Sequence, residues 1–434
     1  MTNSASSNPS TEDPLSSSER CARAVSALEA RGRDLRAIEA IVPGSTESSA
    51  LSDQRHREGR SLGELDGLPF AVKANIDVEG IPTTSGLVDP DRMPAVSDAF
   101  VVERLRQCGA IPVATTTMAP MAMGATTEHP DLGPCLNPHD VRLHAGGSSG
   151  GSGALVGAGI LPFALGSDTM GSVRIPAAYC HAFAWLPTHG SVSSRGMIPL
   201  AEPLDNVGVI ASSARVLRQV AACIRTPDPL DSWAAHHETP GTRANVQPTI
   251  ATCSWISRAD GNRQSVTDEG LARLEQLGCR AIEDVDMSPL DPALLRRRGL
   301  ALVEAAAAAT FASEFDHGLI PARWVGLIEY GHRMNAPYLW KVIRELVAAR
   351  RVIRNLLHSV DILLLPTTPT AAPEVGTDPA DAADLTAWVN IAGLPAVAVP
   401  WMGVSLQLIG RPGSDDFLLH WAEMFTNGHT SSAH

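Results

Sequence analysis

The residues best placed to do chemistry lie between positions 144 and 176, HAGGSSGGSGALVGAGILPFALGSDTMGSVRIP. Seven of the fourteen residues from Gly146 to Gly159 are glycines, and Ser148 and Ser149 sit among them. Three readings of such a loop compete. A linker would not run straight into the periodic apolar pattern of Leu155, Val156 and Ile160. A phosphate cradle would carry GxxxxGK[ST], or GxGxxG after a strand, and neither is present. A nucleophile or proton-relay loop is the third. Residues 146–150 match GxSxG, but that elbow needs a buried strand directly before it, and residues 137–144 are polar and contain a proline. A better arrangement pairs two serine loops. Ser148 and Ser172 lie 24 positions apart and flank a helix and a strand, so both can reach one end of a sheet. Ser172 follows Asp168-Thr169-Met170-Gly171, a tight turn whose successive N–H groups can converge on a developing oxyanion.

A lysine joins these serines on compositional grounds. Of 34 basic residues only Lys73 and Lys341 are lysines. Where a coding bias drives lysine to arginine, a surviving lysine is a candidate for a role arginine cannot fill, and only lysine gives up its proton near neutral pH.

The elements that must position these groups read as α/β, with a mixed, mostly parallel central sheet flanked by helices on both faces. Residues 68–72 form a short buried strand. A helix capped by Ser97 or Asp98 carries Phe100, Val101, Val102 and Leu105 and stops at Gly109; residues 111–114 are the next strand. That unit predicts a parallel pair with a right-handed crossover. A second unit has a strand over 249–256, a helix capped by Thr267 and stopped by Gly278, and a strand over 279–285. A long helix over 338–357 leads into a buried strand at 360–365, and the last helix runs from Asp415 or Asp416 to about 425. A first helical pattern covers about 20–41. Residues 1–19 and 427–434 read as flexible tails around one domain, 20–426, whose region 228–345 is a variable segment that covers a site.

Composition excludes several functions. The chain has 434 residues and a net charge of −13, which repels phosphate backbones. Its short arginine runs, 296–298 and 350–351, read as solvated helix faces. Seven cysteines, at 21, 108, 135, 180, 223, 253 and 279, form no CxxC pair. Their odd number and irregular spacing point to a reducing compartment and argue against zinc. There is no signal-peptide pattern, and the longest apolar stretch, 153–165, is broken by Gly157, Gly159 and Pro162. The expectation is a cytoplasmic protein that binds neither membrane nor nucleic acid.

The stretches GLPFAVKANID (67–77), GGSSGGSGALVGAG (146–159) and GSDTMGSVRIPAAYC (166–180) resemble the amidase signature family. So do NIAGLPAVAVP (390–400) and LQLIGRPG (406–413), and the likeness runs from about 20 to 426. The segment TTEHPDLGPCLNPHD (126–140) is most similar to the biuret-hydrolase-like and indoleacetamide-hydrolase-like branch. The resemblance implies a Ser–cis-Ser–Lys triad. Ser172 would be the nucleophile, Ser148 the bridging serine after a cis bond from Gly147, and Lys73 the base, neutral because buried. The backbone N–H groups of Thr169, Met170, Gly171 and Ser172 would form the oxyanion hole. Ser149 would serve as a cap or turn residue. Asp168 and Arg174 would form a supporting ion pair, or Arg174 would meet a substrate carboxylate. No metal or cofactor is required. The implied activity is hydrolysis of a small primary or urea-like amide. Transfer to an amine, an amidotransferase-type role and a non-catalytic scaffold stay open, as do a homodimer and a small accessory subunit.

Four departures from the family pattern stand out. Met170 replaces a smaller or polar residue and would narrow the pocket. WLPT at 185–188 lacks a common lysine. Met121, Ala122 and Met123 stand where relatives approach the substrate, so they either wall the pocket or pack the core. The connection 399–408 is short, which would open the site.

Overall fold

The computed structural model describes residues 15–234 and 247–427. Its strands are β1 (Ile38–Ile41), β2 (Pro69–Lys73), β3 (Ile111–Thr116), β4 (Glu128–His129), β5 (Gly133–Pro134), β6 (Phe163–Asp168), β7 (Phe183–Leu186), β8 (Asn206–Ala211), β9 (Thr249–Ala251), β10 (Arg280–Ala281), β11 (Ile362–Pro366), β12 (Ala396–Trp401) and β13 (Val404–Ile409). Its α-helices are α1 (Ser17–Ala27), α2 (Ser45–Arg57), α3 (Phe100–Gln107), α4 (Gly150–Gly157), α5 (Arg174–Tyr179), α6 (Ala214–Ile224), α7 (Gly261–Gln276), α8 (Pro292–Thr310), α9 (Ala312–Asp316), α10 (Ala322–Arg333), α11 (Ala336–Leu356), α12 (Ala387–Ala392) and α13 (Asp415–Thr426).

Eleven strands form one sheet in the order β1-β3-β2-β6-β8-β7-β12-β13-β11-β9-β10, and β4 and β5 form a separate ribbon. The α/β class and the mixed sheet are as expected. The parallel majority is not there: parallel pairing is confined to β3-β2-β6 and β11-β9-β10. Between these blocks β8, β7, β12, β13 and β11 alternate in direction.

Side-chain alternation sorts the core into two layers. Phe70, Val72, Leu364 and Leu406 face a layer with Leu217 of α6, Leu274 of α7 and Leu418 of α13. On the opposite face Ala71 and Ala164 meet Leu155 of α4 and Ala177 of α5. Leu363 and Leu365 join α8, α10, α11 and α12 there.

Several local expectations need correction. The 1–19 tail is too long: Ser16 and Glu19 form a capping box that starts α1 at Ser17. Residues 1–14 and 428–434 lie outside the described residues. The helical pattern over 20–41 ends early, because Ile38–Ile41 pairs antiparallel with β3. Neither Ser97 nor Asp98 caps α3, whose cap is Ala99; Asp98 accepts from the Glu79 N–H and pairs with Arg106. Asp260 caps α7, while Thr267 lies inside it and donates to the Arg263 carbonyl. The strand over 249–256 stops at Ala251 and turns into a 3-10 segment, Ser254–Arg258. The strand over 279–285 shortens to β10, which pairs parallel with β9 as the strand–helix–strand pattern requires.

Three longer-range expectations also change. Cys108 and Cys223 are joined in a disulfide, brought together across 115 residues, while the other five cysteines are free and buried. The arginine runs are not merely solvated. Arg296 pairs with Asp384, Arg298 with Glu345, and Arg350 donates to the Ile391 carbonyl. The short 399–408 connection is a hairpin whose turn is Met402-Gly403, both at positive φ. The register Ala398↔Ala184, Ala184↔Ile210, Ile210↔Ala164 carries Trp401 past the Phe163 end of the sheet, away from Asp168. The hairpin therefore does not open the site.

Candidate active site

Lys73 and Asp168 are the last residues of β2 and β6, adjacent parallel strands. Their carboxyl ends therefore deliver a cation and an anion to the same edge of the sheet. The 146–149 loop crosses that edge before α4. The glycines of α4 serve close approach: a Cβ on Gly151 would sit 2.4 Å from the Ala37 carbonyl oxygen, and one on Gly157 2.3 Å from that of Cys180. No strand precedes the loop, so the elbow arrangement is absent.

The two serine loops do meet. The Ser149 N–H donates to the Ser172 carbonyl at 3.2 Å, and Ser149 Oγ donates to the Ser167 carbonyl at 3.3 Å. The Gly147–Ser148 peptide is cis. Lys73 Nζ lies 2.7 Å from Ser148 Oγ, 2.8 Å from Ser167 Oγ and 3.4 Å from the Ser167 carbonyl. Lys73 and Ser148 are fully buried, whereas Ser172 is partly exposed. Burial pushes Lys73 down to about 7, against the opposing charges of Asp168 and Asp205. Ser172 Oγ makes no hydrogen bond to Ser148 or to any other group among the described residues, while Lys73 and Ser148 are joined. Hydrogen bonds of this kind are often long before substrate binds.

The turn before Ser172 is held from one side. Asp168 Oδ1 accepts the Gly171 N–H at 2.7 Å, and Oδ2 accepts from the Val173 and Arg174 N–H groups. Of the four N–H groups expected to face an oxyanion, that of Gly171 is taken up by Asp168. Burial works against the Asp168 carboxylate, but the Arg174 charge and hydrogen bonds hold it below its usual range. Arg174 is completely buried. Its guanidinium meets Asp168, Asn390 Oδ1, Gln407 Oε1 and the Thr386 carbonyl. Of the two roles open to Arg174, the ion pair is the one seen, and a sealed guanidinium does not reach a substrate carboxylate.

Met121, Ala122 and Met123 are buried in the apolar cluster that also contains Met170. Met121 and Ala122 adopt φ of 55° and 58°, a left-handed conformation that non-glycine residues hold only when neighbours enforce it. The enforcing contacts are the Met121 N–H to the Ser85 carbonyl and Trp324 Nε1 to the Met123 carbonyl, both 2.7 Å. Met170 packs toward α8, where a Cβ on Gly299 would sit 3.1 Å from its Sδ. Elements from the 228–345 region thus touch both the turn and the methionine segment.

Sequence reasoning missed Ser167, Asn75, Thr386, Asn390 and Gln407. Each lies in or beside a motif, but only the fold shows its partner: Asn390 Nδ2, for example, donates to the Asp168 carbonyl from 222 positions away.

An α/β sheet that seats a buried lysine on a buried serine behind a glycine-rich turn defines an amidase-type scaffold. The chain belongs to the amidase signature family, whose model, "Amidase", matches residues 22–419. It is 31% identical to a glutamyl-tRNA(Gln) amidotransferase subunit of Moorella thermoacetica, covering 95% of this chain and 93% of that one. It is 33% identical to AtzE, a 1-carboxybiuret hydrolase subunit of Pseudomonas sp. strain ADP, covering 85% of both. A solved chain described under "an unexpected vestigial protein complex" that "reveals the evolutionary origins of an s-triazine catabolic enzyme" superposes with a TM-score of 0.86 at 28% identity, over 95% of both chains. The chain is thus placed among hydrolases that act on C–N bonds. Among the described residues no helix is long and apolar enough to cross a membrane.

Proposed function

We propose that the protein is a serine amidase that hydrolyses a small primary or urea-like amide through a Ser172 acyl-enzyme. The 2.7 Å contact between Lys73 Nζ and Ser148 Oγ, in a site dry enough to keep the amine near neutrality, carries this reading. Lys73 takes the Ser148 proton while Ser148 takes that of Ser172. Ser172 Oγ bonds to the amide carbon, and the N–H groups of Thr169, Met170 and Ser172 hold the oxyanion. As the C–N bond breaks, the proton returns through Ser148 to the leaving nitrogen. Water then attacks the ester by the same relay and releases the carboxylate. Asp168, Arg174 and Ser149 shape the loops, and the apolar segment 121–123 borders the substrate. Residues 17–426 act as one domain, with the described parts of 228–345 as its cover.

A serine-directed fluorophosphonate, followed by mass spectrometry, tests the reading. Labelling at Ser172 that is lost in Ser172→Ala and Lys73→Ala is expected, and ammonia release from a panel of small amides then finds the substrate class. Labelling at Ser148 instead overturns the assignment of roles. Absence of labelling and of ammonia release points to a scaffold.

The amidotransferase-type alternative is favoured by the 31% identity over 95% of the chain. Ile175 after Arg174, where that type of protein often has glutamine, weighs against it. Products formed with an added amine separate transfer from hydrolysis. One relative is part of a multi-subunit hydrolase and a solved neighbour comes from a complex, so a homodimer or a small accessory subunit is part of the same proposal. Light scattering on the purified chain distinguishes the homodimer from a monomer.

A further inference from the structure

We infer that Ser167 is a positioning residue for Lys73, supplying two of the three acceptors that the lysine ammonium requires once it has taken the Ser148 proton. This rests on the function proposed above. An ammonium has three donors and no acceptor. Lys73 Nζ has three oxygen neighbours: Ser148 Oγ at 2.7 Å, Ser167 Oγ at 2.8 Å and the Ser167 carbonyl at 3.4 Å. The match is one for one.

The neutral amine has two N–H groups and one lone pair. The Ser167 carbonyl can only accept, so it takes one N–H. The other N–H and the lone pair are divided between two hydroxyls. The lone pair reaches the Ser148 proton only when the second N–H goes to Ser167 Oγ. That oxygen is anchored in turn by Asn75 Nδ2 at 3.2 Å. The amide orientation of Asn75 is set chemically, because the same nitrogen reaches the Ile198 carbonyl at 3.3 Å and that oxygen can only accept.

All three side chains are buried: Lys73 is 0%, Asn75 2% and Ser167 3% exposed. An ammonium formed here without acceptors would carry the full cost of desolvation. The charges around it are Asp168, already tied to Arg174, and Asp205, which accepts from Thr169 Oγ1 and the Leu200 and Ala201 N–H groups. Neither makes a hydrogen bond to Nζ. Ser167 thus provides the contacts that a proton arriving on Lys73 needs.

The test is the rate of fluorophosphonate labelling at Ser172 across pH 5–9 for wild type, Ser167→Ala, Ser167→Thr and Asn75→Ala. Ser167→Ala is expected to label about 10- to 100-fold more slowly, the scale on which small displacements of catalytic groups act. Its acid limb should move to lower pH, because losing an acceptor disfavours the ammonium. Ser167→Thr keeps the hydroxyl and should stay within about threefold of wild type by the same criterion, and Asn75→Ala should fall between. Wild-type kinetics and an unmoved limb in Ser167→Ala overturn this inference alone. Equal losses in Ser167→Ala and Ser167→Thr with unmoved limbs also overturn it, since they reduce Ser167 to a packing role. Failure of wild type to label at Ser172 overturns the functional reading first, and this inference with it.

Discussion

Lys73 Nζ sits 2.7 Å from Ser148 Oγ although 75 positions separate them, and neither side chain is exposed. A lysine in that position has nothing in water to hold its proton. The pair also lies at the end of β2, where the parallel neighbour β6 brings Ser167 and Asp168 alongside. The consequences are measurable.

The first concerns pH. Burial lowers Lys73 to about 7, and the proposed mechanism uses the neutral amine as the base. Labelling of Ser172 and amide turnover should both rise through about pH 7 and level off above it. The check is the pH–rate profile from 5 to 9, in which a limb still climbing at pH 9 would contradict the assigned base.

Stability should also rise with pH, but across a higher window. In the unfolded chain Lys73 keeps its proton up to its ordinary value of 10.5, while in the folded chain it loses it near 7. The unfolded state binds more protons across that window, so this group's contribution to stability rises with pH from about 7 to 10.5. Replacing Lys73 by methionine removes the cost. Lys73→Met should gain about 1–2 kcal/mol in urea denaturation at pH 7 while losing labelling, with a smaller gain at pH 10.

Gly171 is a position where no side chain fits. Its φ is +128°, and an added Cβ would lie 2.3 Å from Thr386 Oγ1. Gly171→Ala should slow labelling at Ser172 by about 100-fold or more. Unchanged far-ultraviolet circular dichroism would show that the loss is local to the turn.

Arg174 tests the scaffold of that turn. Removing the guanidinium leaves the buried Asp168 carboxylate without its main partner, so Arg174→Met should cost about 3–5 kcal/mol. The double variant Asp168→Asn/Arg174→Met should recover part of it, measured by urea unfolding. A loss confined to KM, with stability unchanged, would restore a substrate-binding role.

The Cys108–Cys223 bond joins the end of α3 to α6 and closes a loop of 115 residues. Peptide mapping without reduction should recover the linked pair. Cys108→Ser should lower stability by about 2–4 kcal/mol, and a reductant should lower wild type to the same level.

Much of the site is readable from the sequence because it is written in short, local patterns. Motif residues point to Lys73, Ser148 and Ser172, and apolar runs bounded by turn residues point to the 68–72 and 111–114 strands. The errors arise where local pattern and long-range pairing compete. Residues 38–41 carry a helical pattern, but β3 offers them a strand partner. Asp98 looks like a cap, yet its carboxylate is taken by Glu79 and Arg106.

The order of residues settles the chemistry available: which side chains can take or give a proton, and which glycine-rich turns allow backbones to approach. Folding settles how those groups are used. It commits the Gly171 N–H to Asp168 and surrounds Arg174 with residues up to 233 positions away. It also sets Ser167 and Asn75 beneath Lys73. The reason is physical: a side chain's ordinary pKa and hydrogen-bonding capacity belong to its covalent structure, but burial and partners are properties of chain segments that meet only when the sheet is assembled.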